Sequence, residues 1–389
     1  MNPLRTIGTG LLRVFSSFRL SVTLLVFLGL LTWLGTLAQV DRGLYEVQKE
    51  YFESLFLVHR VGALGIPLPG GNLVLGLLAV NILVGGLWRM RGRKNVSGVI
   101  VVHVGILMLF AAGLVKLQAS NDGHTTLYEG ESKSYFQSYH ELELALLRPL
   151  ADGKIEERTV DGASLAHANP SHPAVVDGQG LPFRVEVTRY FENAGVMPKG
   201  PMFDAPTPVI DGVFARPKPR EKLNEQNGAA VYVDVIAADG SVQNGLLWVY
   251  DAHPWTFDVA GERYALDLRR KRFPMPFRVS LERFRKEDHP RTGMPRWFSS
   301  DVTVDSGKSS RLVTIFMNEP LRQDGLVLYQ ASWGPSNARP GDPLFSSLAV
   351  VRNPSDQWPL WGCIVIAAGL LWHFGRKLIR HVSREVARP

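Results

Sequence analysis

The chain has 389 residues, of which 46% are hydrophobic, and carries a formal net charge of +7. Apolar runs crowd residues 1–117 and the C-terminal end, while the region between is polar and rich in Pro and Gly, so a soluble single domain is excluded. The basic residues lie in short pieces beside the apolar runs, which excludes a nucleic-acid-binding surface. The one cysteine, Cys363, excludes an internal disulfide, a CxxC redox pair and a c-type haem attachment motif.

Four stretches are long and apolar enough to cross a bilayer as helices. They cover residues 20–40, 72–88, 97–117 and 358–375. A cleaved signal peptide is the alternative for the first stretch, since Thr36-Leu37-Ala38 resembles a cleavage site. Its apolar region exceeds the usual length of a signal core, about 7–15 residues, and favours a retained helix.

Two further patterns predict an amphipathic segment next to these helices and close packing of another helix on one of them. Apolar residues at three- and four-residue steps within residues 41–60 predict an external amphipathic helix. They are Leu44, Val47, Tyr51, Leu55 and Val58. On the third stretch, Gly98, Gly105 and Ala112 recur every seven residues, which predicts close packing of another helix.

The distribution of Lys and Arg predicts the orientation. Residues 1–19, 89–94 and 376–389 are basic, whereas residues 41–60 and 118–357 carry both charge signs. Because cytoplasmic segments are enriched in Lys and Arg, we expect a multi-pass protein of the inner (cytoplasmic) membrane. Both termini would be cytoplasmic, with residues 118–357 on the periplasmic or external face.

Residues 118–357 alternate with period two, which predicts strands. The candidate strands are 141–147, 183–190, 231–236, 246–250, 263–268, 277–284, 302–304, 312–317, 326–329 and 348–351. Candidate hairpin turns are Asp239-Gly240, Ala260-Gly261 and Ser306-Gly307. The expected fold is an antiparallel β domain, sandwich or barrel-like, inserted between the third and fourth membrane helices.

The β region also contains a similarity between two strands. Residues 182–185 and 276–279 both read Pro-Phe-Arg-Val, so the domain is either two similar halves or a chance repetition. Residues 198–222, with six prolines, are expected to be a loop or link between the halves.

His103 is the best candidate for chemistry. It lies within an apolar membrane stretch, where an ionisable side chain is costly. It is either a structural histidine whose N–H bonds a neighbouring helix, or a ligand or proton site. His373 on the fourth stretch is the second candidate, with snorkelling towards the interface as the alternative.

The other histidines form no helical metal-binding spacing and are interpreted as surface or core residues. His59 and His381 are expected to be solvated, and the external ones are His124, His140, His167, His172, His253 and His289.

Short motifs along the whole chain resemble the ResB family, also called CcsB. The stretches that carry the resemblance are Trp33-Leu34-Gly35-Thr36 with Gln39; His103-Val104-Gly105-Ile106-Leu107; Leu127-Tyr128-Glu129-Gly130-Glu131; Phe277-Arg278-Val279-Ser280-Leu281 with Phe284; Ser300-Asp301-Val302; Met317-Asn318-Glu319-Pro320-Leu321; Leu328-Tyr329-Gln330-Ala331-Ser332-Trp333-Gly334; and Val350-Val351-Arg352-Asn353-Pro354.

The resemblance implies a membrane subunit of the System II cytochrome c maturation machinery. A ResC (CcsA) partner and this chain would move haem b across the membrane and present it to the CxxCH thiols of an apocytochrome c. His103 matches the family's intramembrane haem ligand, and a thioredoxin-like reductant would act indirectly. The chain alone would not be an enzyme, only part of a cytochrome c haem lyase (synthetase) complex.

The sequence departs from the family in two respects. Its single cysteine lies in a membrane stretch, and residues 150–219 match no family motif. The alternative function is therefore a membrane-anchored external receptor or scaffold that binds no haem.

Overall fold

The computed structural model describes residues 10–91, 96–150, 152–176, 180–201, 204–291, 294–335, 337–339 and 342–387. The chain divides into two compact units. The first comprises Met1–Ser120 and Asn353–Pro389, and the second comprises Asn121–Arg352. Of the basic residues used to predict orientation, Arg5, Arg93, Lys94 and Arg388 lie outside the described residues.

Within the described residues, the first unit has four helices long and apolar enough to cross a membrane. They are α1 (Phe18–Arg42), α2 (Gly71–Asn81, continued by a π-helix over Ile82–Trp88), α3 (Ser97–Ala119) and α4 (Trp358–Val386), with a further short helical segment over 10–15. The prediction of four apolar helices is confirmed. Helix α4 runs beyond the predicted end at residue 375, because apolar residues continue at helical spacing between the basic ones.

The amphipathic helix predicted within residues 41–60 is wrong over its second half. Leu44–Val47 is α-helical and Gln48–Phe52 is π-helical, but the chain then forms the hairpin β1 (Phe56–Val61) and β2 (Leu64–Pro69). Prolines in β2 cannot donate the hydrogen bonds of a helix, and Gly62 adopts a φ of 61° at the turn. The apolar residues after Phe52 therefore alternate on a hairpin.

Helices α3 and α4 pack closely through small residues, as the seven-residue spacing predicted. A Cβ at Gly98 would lie 2.6 Å from the carbonyl oxygen of Gly369, and one at Gly105 would lie 2.8 Å from that of Gly362. Farther along α3, the Ser355 hydroxyl donates to the Ala112 carbonyl at 2.8 Å. Gly362 and Gly369 are themselves seven residues apart, so two stripes of small residues face one another.

Replacing Gly105 with alanine is expected to destabilise this helix pair by about 1–3 kcal/mol, because the new methyl group overlaps backbone atoms. Gly113→Ala on the same helix is the matched control, since a Cβ there meets no atom within 4 Å. The thermal denaturation midpoint of the full-length protein in detergent distinguishes the two variants. Equal midpoints would show that close packing at Gly105 is unimportant.

The second unit is built from antiparallel β-strands. Its strands are β3 (Asn121–Tyr128), β4 (Ser132–Pro149), β5 (Ile155–Asp161), β6 (Ala174–Val176), β7 (Phe183–Phe191), β8 (Ala194–Pro198), β9 (Val213–Pro217), β10 (Ala230–Ala237), β11 (Val242–Trp248), β12 (Trp255–Val259), β13 (Glu262–Asp288), β14 (Pro295–Asp305), β15 (Ser310–Phe316), β16 (Leu321–Gln323), β17 (Leu326–Gly334) and β18 (Phe345–Arg352). A large antiparallel β domain is therefore confirmed.

These strands form two main sheets. One has the order β11-β10-β7-β6, and the other the order β15-β14-β13-β4-β3-β18-β17-β16, with β12 added to β13 and β5 added to β4. Strands β8 and β9 form a separate hairpin. Strand β13 is 27 residues long and pairs with β4 over residues 265–280.

Two hydrophobic cores lie against these sheets. The first core includes Val187, Val233 and Leu266 and lies against the four-stranded sheet. The second includes Phe136, Leu281 and Leu328 and is enclosed by strands of the larger sheet. Strands β4 and β13 contribute buried side chains to both cores.

All ten stretches predicted as strands lie largely within strands, and the three predicted turns connect antiparallel partners. Gly240, Gly261 and Gly307 have positive φ at those turns. The expected loop over 198–222 is partly wrong, because β9 pairs with β8 and buries Phe214. The two Pro-Phe-Arg-Val strands lie in different sheets, and their origin as two copies stays a prediction.

Candidate functional site

His103 lies on α3 with its imidazole against α2. A Cβ at Gly86 would lie 2.6 Å from Cδ2 of His103 and 3.0 Å from Nε2. Gly86 is buried within the π-helical end of α2, a backbone form that often accompanies functional sites. The absence of a side chain at position 86 therefore creates the space that the imidazole fills.

One nitrogen of the imidazole is bonded to its own helix. Nδ1 of His103 lies 2.7 Å from the carbonyl oxygen of Val99. Because a carbonyl oxygen only accepts, Nδ1 carries the hydrogen, and in the neutral ring the lone pair is on Nε2. Among the described residues Nε2 makes no hydrogen bond. The bond to a neighbouring helix that the structural alternative required is therefore not seen among these residues, and a lone pair on Nε2 is what a metal ligand would offer.

His373 lies elsewhere on the same helix bundle. Its backbone packs on α3 at Gly98, where a Cβ would come within 2.8 Å of the backbone nitrogen of His373. His103 instead contacts Gly86 on α2. The two candidate residues therefore contact different neighbours in the described part of the chain.

A buried polar residue that was not among the predicted site residues joins the start of α1 to α2. Asn81 is buried within α2, and its Oδ1 accepts a hydrogen bond from Ser21 at 2.7 Å. Its amide donates to the carbonyl oxygens of Phe15 and Ser17 at 2.8 and 3.1 Å. An asparagine inside an apolar stretch is the available signal, since a polar side chain at that depth requires partners.

His59 corrects another expectation. It is half-buried in β1, and its Nδ1 lies 2.6 Å from the hydroxyl of Tyr51, which is itself buried. Burial, followed by the nearby Glu50 carboxylate, raises the pKa of the Tyr51 hydroxyl, which therefore stays protonated at neutral pH. His59 is thus a packed and hydrogen-bonded residue, not a solvated one.

The external histidines are scattered in the second unit. His124 stacks on Tyr139 with ring centroids 5.1 Å apart, and burial lowers the pKa of His124 with a smaller effect from Arg270 and Lys133. The described residues contain no group of three His, Cys, Asp or Glu side chains arranged to hold a metal ion.

Comparison with known proteins gives one family-model match, which lies in the second unit, and two curated relatives. The model of the ResB-like family matches residues 256–344, which run from β12 to the segment before β18. A cytochrome c biogenesis protein CcsB of Trichormus variabilis is 32% identical over 111 residues, and one of Nostoc sp. is 31% identical over 111 residues. The resemblance to the ResB (CcsB) family is confirmed.

The extent of these matches is limited. Each alignment spans 28% of this chain and 24% of the CcsB relative, about a quarter of the relative's length. The matched family region includes most of the strands around the second core, and His103 lies outside it. The imidazole site therefore rests on its own geometry.

Proposed function

We propose that the chain is the ResB-type subunit of a cytochrome c biogenesis complex and holds haem in the membrane through His103. The observation that carries this proposal is the hydrogen bond from Nδ1 to Val99, which leaves the lone pair on Nε2. Haem iron commonly takes a neutral imidazole as axial ligand. The ResB resemblance and the similarity to cytochrome c biogenesis proteins support haem as the proposed cargo, because haem is the group that a cytochrome c carries.

The surroundings of His103 suit an apolar macrocycle. Apolar side chains of α1–α3 cluster near it, including Ile106, Leu107 and Phe110, and no carboxylate lies on α2 or α3. The chain offers one imidazole here, so we propose that a ResC (CcsA)-like membrane protein provides the second axial ligand. His373 remains a weaker ligand candidate because it packs on α3 at Gly98, whereas the imidazole of His103 lies against Gly86 of α2.

The same proposal gives the external domain and the partners their roles. The β domain, inserted between α3 and α4, would lie on the periplasmic or external face and dock the ResC-like partner or the apocytochrome. Haem would be attached there to CxxCH thiols that a thioredoxin-like protein keeps reduced. Since the chain has only Cys363, it supplies no dithiol of its own and acts as part of the synthetase complex.

The charge distribution supports the orientation in this proposal. The basic segments flank the ends of α1, α2 and α4, which we assign to the cytoplasmic side of the inner membrane. His103 is six residues from the first residue of α3, about 9 Å at 1.5 Å per residue, which places it in the cytoplasmic half.

Haem content tests the proposal. We would co-express the chain with its ResC-like partner and purify the complex. The absorption spectrum and haem stoichiometry would then be recorded for wild type, His103→Ala and His373→Ala. His103→Ala is expected to retain the partner but to fall below about one tenth of the wild-type haem content, because a direct ligand is removed. Added imidazole should restore haem to this variant.

His373→Ala is the matched control, and the haem content of His103→Ala is the result that can contradict the proposal. His373→Ala is expected to keep most of its haem, because the atoms of His373 nearest to the Gly98 position are its backbone nitrogen and Cβ, which alanine retains. Equal haem in wild type and His103→Ala would mean that the partner holds haem alone and that this chain is a scaffold.

A further inference from the structure

A cavity of about 230 Å³ lies where α3 begins beside the basic part of α4. Its lining residues are Ser97, Gly98, Trp372, His373, Arg376, Lys377 and Arg380. Three of them are cationic and none is acidic. Since one water molecule needs only about 10–15 Å³ of such volume, the cavity has room for a phosphate group with part of an attached alcohol.

The polar wall of the cavity is held in place by hydrogen bonds. The hydroxyl oxygen of Ser97 accepts a hydrogen bond from Nε1 of Trp372 at 3.0 Å and another from Arg376 at 3.3 Å. The guanidinium of Arg376 also lies 5.7 Å from the centroid of the Trp372 ring. Arg376 is thus positioned by two groups while it lines the cavity.

The start of α3 adds further positive potential. The helix is 23 residues long, and Val96 before it provides no side-chain cap. The first backbone N–H groups of the helix, from Ser97 onwards, have no intrahelical acceptor and carry the positive end of the helix dipole. The cavity therefore combines side-chain cations, backbone donors and an indole.

Apolar side chains beside the cavity indicate what kind of anion it fits. Leu371, Phe374 and Leu378 of α4 are 77%, 58% and 62% exposed. Because α4 is long and apolar enough to cross a membrane, lipid acyl chains would cover these side chains and bring lipid head groups next to the cavity. The combination of a cationic cavity with neighbouring apolar surface is typical of head-group sites between membrane helices.

We infer that this cavity binds the phosphodiester head group of an anionic phospholipid. Arg376 and Arg380 contact the phosphate, the first N–H groups of α3 face it, and the acyl chains lie along the exposed apolar side chains of α4. This site does not include His103 or Gly86, and it shares only His373 with the ligand candidates of the haem proposal.

Native mass spectrometry of the full-length protein in mild detergent tests this inference, with phosphatidylglycerol as the probe. The double variant Arg376→Gln/Arg380→Gln is expected to bind phosphatidylglycerol about 30-fold more weakly than wild type, since two cations near the lipid are lost. The double variant Arg13→Gln/Arg384→Gln removes the same charge without altering the cavity lining and should bind within about twofold of wild type.

Two further arms separate the sources of the phosphate. Phosphatidylcholine should bind much more weakly than phosphatidylglycerol, and inorganic phosphate should not displace the lipid. Equal loss in both double variants, equal binding of phosphatidylcholine, or displacement by inorganic phosphate would each overturn the inference. Arg376→Lys/Arg380→Lys keeps the charges and should retain most of the binding, which excludes misfolding as the cause of a loss.

Discussion

Replacing Gly86 with alanine is expected to lower the haem content of the complex about 10–100-fold, although position 86 provides no ligand atom. The added Cβ would lie 2.6 Å from Cδ2 and 3.0 Å from Nε2 of His103. The imidazole can relieve this overlap only by rotating or by moving α3 away from α2. Rotation breaks the bond from Nδ1 to Val99 and redirects the lone pair on Nε2.

Haem stoichiometry and the absorption spectrum of the purified complex measure this effect. Gly76→Ala on the same helix is the matched control, because a Cβ there meets no atom within 4 Å. The control should keep wild-type haem, and both variants should retain the partner. Full haem in Gly86→Ala would show that the imidazole does not need its position against α2, and the ligand geometry proposed for His103 would be wrong.

Replacing Arg269 with methionine is expected to destabilise the β domain by about 3–5 kcal/mol. Arg269 is 6% exposed, and its Nε donates to the carboxylate of Glu143, which is 5% exposed, at 2.9 Å. The guanidinium also contacts the carboxylates of Glu157 and Asp267. Removing the cation leaves the buried carboxylate of Glu143 without its ionic partner, which costs far more than loss of a surface pair.

Thermal unfolding of the full-length protein, followed by circular dichroism, compares the unfolding midpoints of the variants with that of the wild type. For a domain of this size the expected loss lowers the unfolding midpoint by roughly 6–20 °C. Arg263→Met on the same strand is the control, since Arg263 pairs with Asp258 at the surface and the side chains are 70% and 61% exposed. Its midpoint should change by little. Similar midpoints for both variants would contradict a special role for the buried ion pair.

The elements that the sequence predicted well are those with a strong local pattern. Long apolar runs specify α1–α4, and alternation with turn glycines specifies strands such as β10 and β13. The predicted amphipathic helix failed after Phe52 because the same apolar residues fit both a helical and an alternating pattern. The pairing of β1 with the proline-containing β2 favours the alternating pattern. That pairing cannot be seen from the sequence of β1 or of β2 alone.

The candidate site was predicted in part for a similar reason. His103 was found because an ionisable side chain in an apolar stretch is conspicuous. The contribution of Gly86 could not be found, since a glycine has no chemistry of its own and its partner lies on another helix. Asn81 gave a signal as a polar residue in an apolar stretch, but its partners Ser21, Phe15 and Ser17 are sixty or more residues away in the sequence and could not be identified.

The length of β13 has a consequence for how the β domain loses its structure. Leu266 of this strand belongs to the first core and Leu281 to the second, and β4 likewise contributes Leu144 to one and Phe136 to the other. Neither core can be opened completely without releasing strands that the other needs. The two cores therefore unfold cooperatively. Stabilisation of one core, for example by a docked partner, increases the resistance of the other core to unfolding.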